Sequence, residues 1–212
     1  TDIPLIEYVA KTNKPILMST GMASEDEISE ALDAARSCGA RNILLFHCIS
    51  SYPAPLEQSN LNMIGTLKKK FKVEVGLSDH TLDNMAATLS ISMGAVAIEK
   101  HFILDKTLTG PDSAFSMDPD QLCNLVQDTE KAWKSMGSDD FQRAKVEEAS
   151  LAFRRSIYFV KNLKEGTVIT KDHIKRIRPG YGLKPKFFDK LIGKKVISDI
   201  EIGDPVTWDV VD

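Results

Sequence analysis

Two histidines of this chain each follow a short apolar stretch with the length and composition of a β-strand. His80 comes three residues after the stretch 73–77, and His101 three residues after the stretch 95–98. A helix-length segment, residues 82–93, separates the two stretches and is followed by a glycine. Strand, helix and strand at this spacing predict a βαβ unit, whose two strands are parallel neighbours. We therefore expect both imidazoles at the same rim of one sheet.

Each histidine also has a polar residue two positions before it. Side chains alternate along a strand, so Ser78 shares a face with His80, and Glu99 shares one with His101. Two imidazoles, a carboxylate and a hydroxyl at one rim suit a divalent metal ion. The alternative is that each histidine is a hydrogen-bonded structural residue, which is the commoner role of a single histidine at a strand end.

The chain before this unit repeats the alternation of strand and helix. Four strands are predicted, each followed by a helix: residues 16–18, 42–48, 73–77 and 95–98. Polar residues also end the first two strands, Ser19 after the first and Ser50 with Tyr52 after the second. Four such units with functional residues at the carboxyl ends are typical of half of a (β/α)8 barrel. An open doubly wound sheet is the alternative, although no glycine-rich phosphate fingerprint supports it.

The helices are predicted from their caps and apolar spacing. Ser24 followed by Glu27 is a capping box, and Asp118 followed by Pro119 marks a second helix start. Helices are also expected at residues 5–11, 56–70 and 82–93. The buried faces should hold Ile28, Ala31, Leu32 and Ala35 in the helix after Ser24, and Leu122, Leu125, Val126 and Trp133 in the helix after Asp118.

Composition excludes several classes of protein. The chain has 212 residues, a net charge of −3 and 42% hydrophobic residues, so it can bury a core and is not expected to be disordered. Mild acidity gives no reason to expect nucleic acid, and no apolar run approaches the length of a membrane span. The three cysteines are odd in number and lie in apolar or helical contexts, which argues against a disulfide framework and favours a reducing, cytoplasmic location.

The character of the chain changes after Gly137. Residues 138–150 are charged and predict a linker with some helix, and residues 156–160 predict a strand. Residues 160–170 and 197–207 share one pattern of apolar residues around a glycine, which predicts a small β domain with pseudo-twofold symmetry. Between the two copies stand Arg176 and Arg178, followed by a short helix at residues 185–192. The two arginines suit an anionic or amide-bearing ligand, and the alternative is a solvated loop.

Four motifs of the first part occur in order and at spacings that resemble the sialic acid synthase family. They are Ser-Thr-Gly-Met at 19–22, the loop 48–55, Gly-Leu-Ser-Asp-His-Thr at 76–81 and Glu-Lys-His-Phe at 99–102. The final part resembles the antifreeze-like domain of that family, also called SAF, a β-clip fold, so the resemblance covers essentially the whole chain. Gly-Pro-Asp-Ser-Ala-Phe-Ser at 110–116 and Arg-Ile-Arg-Pro-Gly-Tyr-Gly-Leu at 176–183 are similar to pseudaminic acid synthases. N-acetylneuraminate synthases, legionaminate synthases and spore-coat polysaccharide proteins remain alternatives.

The resemblance implies a reaction and a set of residues for it. Phosphoenolpyruvate would condense with an N-acetylated amino sugar, with 2,4-diacetamido-2,4,6-trideoxy sugars expected for the pseudaminic branch. The expected site comprises His80 and His101 as ligands of Mn²⁺ or Mg²⁺, Ser78, Ser19 and Ser50 on phosphoenolpyruvate, and Tyr52, Asp112 and Arg178 on the sugar. Arg178 would act on the partner subunit's site in a homodimer. Glu99 is assigned by strand alternation alone, as a base or as a support of the metal ligands.

The resemblance also implies that the chain carries only part of the family's barrel. We expect strands 5 to 8 of a TIM (β/α)8 barrel in residues 1–137, a linker at 138–150 and the SAF domain at 151–212. The half before these strands carries the family's phosphate-binding lysines, so the chain alone should be inactive. A metal-dependent aldolase or isomerase, and a non-catalytic carbohydrate-binding fragment, are the alternatives from other functional classes.

Overall fold

The computed structural model describes all residues from 1 to 212 and divides them into two compact units. The first comprises Thr1–Ser138 and the second Asp139–Asp212. None of the helices combines the length and the apolar character needed to cross a bilayer. Each unit has its own buried apolar cluster, and each is described by itself below.

The first unit is an α/β structure built on a four-stranded parallel sheet. Its strands are β1 (Ile16–Ser19), β2 (Ile43–Cys48), β3 (Glu74–Asp79) and β4 (Ile98–Lys100), in the spatial order β1-β2-β3-β4. Leu45 of β2 pairs with Val75 of β3, and both side chains are fully buried. Consecutive parallel strands require a crossover each, which the intervening helices provide.

The helices of this unit are α1 (Ile3–Ala10), α2 (Glu25–Ser37), α3 (Asn62–Phe71), α4 (Met85–Ser92) and α5 (Pro119–Ser135). Helix α2 begins as the sequence predicts: the Ser24 side chain accepts from the Glu27 amide, and the Glu27 carboxylate accepts from the Ser24 amide. Its predicted buried stripe is confirmed as Ile28, Ala31, Leu32 and Ala35. Asp118 caps α5 in the same reciprocal way with Gln121.

Several element boundaries differ from the prediction, and three of them have consequences for the site or the fold. The single helix expected at residues 56–70 is a short 3-10 turn, Leu56–Gln58, followed by α3, and Asn60 between them has a positive φ of 45° that no α-helix accepts. Helix α4 begins at Met85 rather than at residue 82, because the Asp83 carboxylate accepts from the Met85 amide. The fourth strand, β4, is centred on Ile98–Lys100, later than residues 95–98.

The expected inner face of α5 is wrong in three of its four residues. Leu125 is buried against Ala87 and Met117, as a core residue should be. Leu122, Val126 and Trp133 are instead 36%, 58% and 69% exposed. The sequence shows where apolar residues recur, but α4 is the main element packed against α5, and the contact buries only the stripe that contains Leu125.

The second unit contains a two-stranded antiparallel sheet of β5 (Ser156–Phe159) and β6 (Ile174–Ile177). Strand β6 contains Arg176, although the sequence pattern predicts no strand between the two repeats. A 3-10 turn at Pro185–Phe187 and α6 (Phe188–Leu191) form the expected short helix. In the charged stretch 138–150 a 3-10 turn covers Lys145–Glu147.

The two copies of the repeat form isolated β-bridges rather than continuous strands, but their hydrogen bonds obey a twofold pattern. Leu163 and Ile200, at equivalent positions, exchange both backbone hydrogen bonds. Gly166 donates to the Val196 carbonyl, and its equivalent Gly203 donates to the Phe159 carbonyl. Both glycines have positive φ, 82° and 99°, which explains why each repeat needs a residue without a Cβ.

Candidate active site at the ends of β3 and β4

The register of β3 and β4 brings their polar ends together. Ser78 stands opposite Glu99, and the Ser78 hydroxyl donates to the Glu99 carboxylate at 2.7 Å. His80 and His101 each follow two residues later, and the centroids of their rings lie 5.3 Å apart. The βαβ arrangement therefore places the two imidazoles side by side.

His80 is held in one orientation by the end of the preceding strand. Its Nδ1 lies 2.8 Å from the Ile49 carbonyl, and its side chain is buried. A carbonyl can only accept, so Nδ1 carries the proton and the lone pair of the neutral ring is on Nε2. That Nε2 lies 3.5 Å from the Ser78 hydroxyl, at the limit of a hydrogen bond.

His101 is oriented by a carboxylate from the following loop. Its Nδ1 lies 3.3 Å from the Asp112 carboxylate, and the side chain is about one-third exposed. Asp112, expected from the resemblance as a sugar contact, thus contacts a predicted metal ligand in this structure. The second nitrogen of His101 has no hydrogen-bond partner in the chain.

Two further aromatic rings surround the histidine pair. The Tyr52 ring lies 4.3 Å from the His80 ring and 5.7 Å from the His101 ring, measured between centroids. Phe115 lies 5.0 Å from His101 and 5.5 Å from Tyr52. These four rings, called the ring cluster below, give the rim an apolar wall beside its polar groups.

The two histidines fit a metal ion as a two-residue ligand set. Each has one nitrogen on an oxygen partner, a carbonyl for His80 and a carboxylate for His101, as metal-binding histidines do. No group of three or more His, Cys, Asp or Glu side chains suited to a metal is found. Other ligands would have to come from substrate or water, and a pair of imidazoles suits Mn²⁺ better than Mg²⁺, which prefers oxygen.

The structure places the remaining expected site residues, Ser50, Ser19 and Arg178, on three different parts of the chain. A Cβ on Gly21 would collide with the Ser50 hydroxyl and would lie 2.8 Å from the Cys48 sulfur, so Gly21 allows these loops to meet. Burial raises the pKa of the Cys48 thiol, which keeps it protonated.

Ser19 ends β1, two strands away from β3, and is exposed. Arg178 belongs to the second unit, directly after β6.

Sequence reasoning missed one pair of residues at this rim. Asp79 and Lys100 stand opposite each other in the register and form an ion pair at 3.0 Å, with side-chain exposures of only 2% and 4%. The alternation of side chains along β3 and β4 could have indicated this ion pair. These residues immediately precede His80 and His101, on the face opposite to Ser78 and Glu99, and oppositely charged residues at adjacent strand ends can pair.

Both units match models of known protein families. The NeuB family model matches residues 1–141, and the SAF domain model matches residues 154–212. The chain belongs to the NeuB family. The family predicted from the motifs of the sequence is thereby confirmed.

Relatives of this NeuB family chain include two bacterial synthases. The pseudaminic acid synthase of Campylobacter jejuni is 37% identical over 96% of this chain and 59% of its own length. The N,N'-diacetyllegionaminic acid synthase of Legionella pneumophila is 35% identical over 100% of this chain and 61% of its own length. The chain thus spans about 60% of the length of these curated relatives.

A solved structure of the family agrees with the fold. The spore coat polysaccharide biosynthesis protein SpsE of Bacillus subtilis is 32% identical, with a TM-score of 0.61 over 99% of this chain and 64% of that one. The α/β architecture followed by a SAF domain is therefore confirmed.

Proposed function

We propose that the protein condenses phosphoenolpyruvate with an N-acetylated amino sugar to give a nonulosonic acid and phosphate. The observation that carries the proposal is the histidine pair at adjacent strand ends, each ring oriented by an oxygen on one nitrogen. The kinship with pseudaminic and legionaminic acid synthases supports the substrate class. The first unit, Thr1–Ser138, would supply the two metal ligands and the sugar contacts Tyr52 and Asp112.

We also propose that the four strands are the carboxyl-terminal half of a (β/α)8 barrel. Strands β1 and β4 each pair on one side only, which leaves two edges available to further strands. Barrel enzymes carry their active sites at the carboxyl ends of the strands, which is where the ring cluster lies. Residues 1–137 would form this half, residues 138–150 the linker and residues 151–212 the SAF domain.

In the proposed mechanism His80 and His101 would hold Mn²⁺ or Mg²⁺. When bound, the ion would polarise the aldehyde oxygen of the sugar. The enol carbon of phosphoenolpyruvate would form the new C–C bond with the aldehyde carbon, whose oxygen takes up a proton to become a hydroxyl. Water would add to the neighbouring carbon, and its C–O bond to phosphate would break to give the keto acid. We assign Glu99 as the base that would accept one proton of that water, which balances the proton taken up by the aldehyde oxygen.

The hydrogen bond from Ser78 to Glu99 couples substrate binding to this base. In the structure the hydroxyl donates to the carboxylate at 2.7 Å. Donation to phosphoenolpyruvate requires Ser78 to turn away, which frees the Glu99 oxygen as a proton acceptor. We assign Ser19 and Ser50 to phosphoenolpyruvate as well, and Tyr52, Asp112 and Arg178 to the sugar.

The test is phosphate release from phosphoenolpyruvate by the full-length gene product with a panel of amino sugars. His80→Ala and His101→Ala should abolish metal-dependent turnover while the protein stays folded, because each removes half of the ligand set. His173→Ala is the matched control, since His173 lies in the second unit and its Nδ1 accepts only from the Thr170 amide. Full activity of both site variants after chelation and metal add-back would place the metal elsewhere. Turnover without phosphate release would favour an aldolase.

A further inference from the structure

The buried ion pair of Asp79 and Lys100 ties together the two chain segments that carry the histidines. The Lys100 ammonium donates to the Asp79 carboxylate at 3.0 Å, to the Thr81 carbonyl at 2.6 Å and to the Asp83 carbonyl at 3.4 Å. The Asp79 carboxylate in turn accepts from the Thr81 amide at 2.9 Å. One lysine at the end of β4 therefore holds the whole turn from 79 to 83.

His80 lies inside this turn, and His101 follows Lys100 directly. Strand alternation puts Asp79 and Lys100 on the opposite face of the sheet from the rings. The hydrogen bonds of the pair are to each other and to the turn that contains Thr81 and Asp83. The effect of the pair on the rim must pass through the backbone. The geometry of the two imidazoles then depends on how firmly the ammonium holds the turn.

We propose that Lys100 and Asp79 are positioning residues that set the spacing of His80 and His101 for the metal. A buried ion pair is weak evidence for stability, because well-packed apolar residues often replace it without loss. An apolar side chain cannot, however, donate to the carbonyls of Thr81 and Asp83. The inference rests on the proposed metal site and adds the groups that preorganise it.

The experiment measures Mn²⁺ affinity of the full-length gene product by electron paramagnetic resonance and calorimetry. Lys100→Met removes the donor, and the double variant Asp79→Asn with Lys100→Met also removes the buried uncompensated carboxylate, which protects folding. We expect both to bind Mn²⁺ about 10- to 100-fold more weakly, as for other groups that orient metal ligands. The Mn²⁺ concentration for half-maximal activity should rise by the same factor.

Lys68→Met is the matched control. Lys68 pairs with Glu74 at 2.8 Å, at the opposite end of β3, and both side chains are about half exposed. This variant should keep the Mn²⁺ affinity of the parent protein. Variants of Lys100 that unfold at lower temperature but keep Mn²⁺ affinity would show a purely structural pair and overturn the inference. If the parent protein itself does not bind Mn²⁺, the proposed metal site is refuted, and this inference is refuted with it.

Discussion

At the scale of single residues, Phe115 is the side chain that most changes the character of the rim. The resemblance implies that N-acetylneuraminate synthases carry a histidine after Gly-Pro-Asp, where this chain has Ser113, Ala114 and Phe115. The Phe115 ring lies 5.0 Å from the His101 ring. This segment therefore lacks the imidazole that could satisfy a sugar hydroxyl, and it adds an aromatic ring two positions later. A 6-deoxy sugar presents a methyl group at the corresponding position and avoids an unpaired buried hydroxyl.

We expect the protein to prefer 2,4-diacetamido-2,4,6-trideoxy sugars over N-acetylmannosamine in kcat/KM. Phe115→Ala should reduce the ratio of the two kcat/KM values by about tenfold, the scale of a lost apolar contact. General damage to the site would lower both kcat/KM values by the same factor, so it would leave their ratio unchanged. Phe141→Ala is the control, because that ring is fully exposed. A higher kcat/KM for N-acetylmannosamine in the parent protein would contradict the assignment to the pseudaminic branch.

At the scale of elements, helix α2 shows how local chemistry sets a boundary. Its capping box satisfies two backbone amides at the helix start, and its buried stripe packs in the core beside β2. Both features depend on residues within a few positions of one another, so the sequence predicted them. The prediction of one helix at 56–70 is wrong. Asn60 adopts a left-handed conformation, which interrupts a sequence otherwise suited to a helix.

Ser24→Ala should destabilise the protein by about 1 kcal/mol, because the Glu27 amide loses its acceptor. The measurement is the free energy of unfolding from urea titration. Ser37→Ala lies in the same helix and removes only a bond to the Asp33 carbonyl, so its effect should stay within about 0.5 kcal/mol. Equal losses of unfolding free energy in the two variants would mean that the Ser24 cap stabilises the protein no more than the Ser37 hydrogen bond does.

At the scale of the whole molecule, the second unit carries Arg178 on a stretch that follows β6 directly. Arg178 is exposed and forms no ion pair within the chain, so its guanidinium is available to another group. We propose that it completes the site of a partner subunit in a homodimer. A side chain from a separate domain would help to exclude water from the rim.

Complementation tests this assembly. A chain with Arg178→Ala and a chain with His80→Ala, each inactive alone, should regain about half of the parent activity as heterodimers, because one of the two sites is then intact. The control pairs the parent chain with a chain carrying both substitutions. If Arg178 acts across the interface, this heterodimer is inactive, whereas action within one chain would leave one working site and refute the proposal.

The sequence by itself determined the βαβ unit, the placement of His80 and His101 at one rim, the partners Ser78 and Glu99, and the family. The βαβ unit, the histidine placement and the partners follow from the two-residue period of strands and the parallel pairing that a crossover helix imposes, which are local rules. The family follows from the resemblance of its motifs in their order and spacing. Only the tertiary structure decided the ring cluster, the oxygen partners of the two histidines and the hold of Lys100 on the turn from 79 to 83. It also decided that α5 buries only Leu125 of its expected face. Those features depend on which groups meet across long sequence separations, such as Ile49 with His80, and no local pattern encodes such meetings.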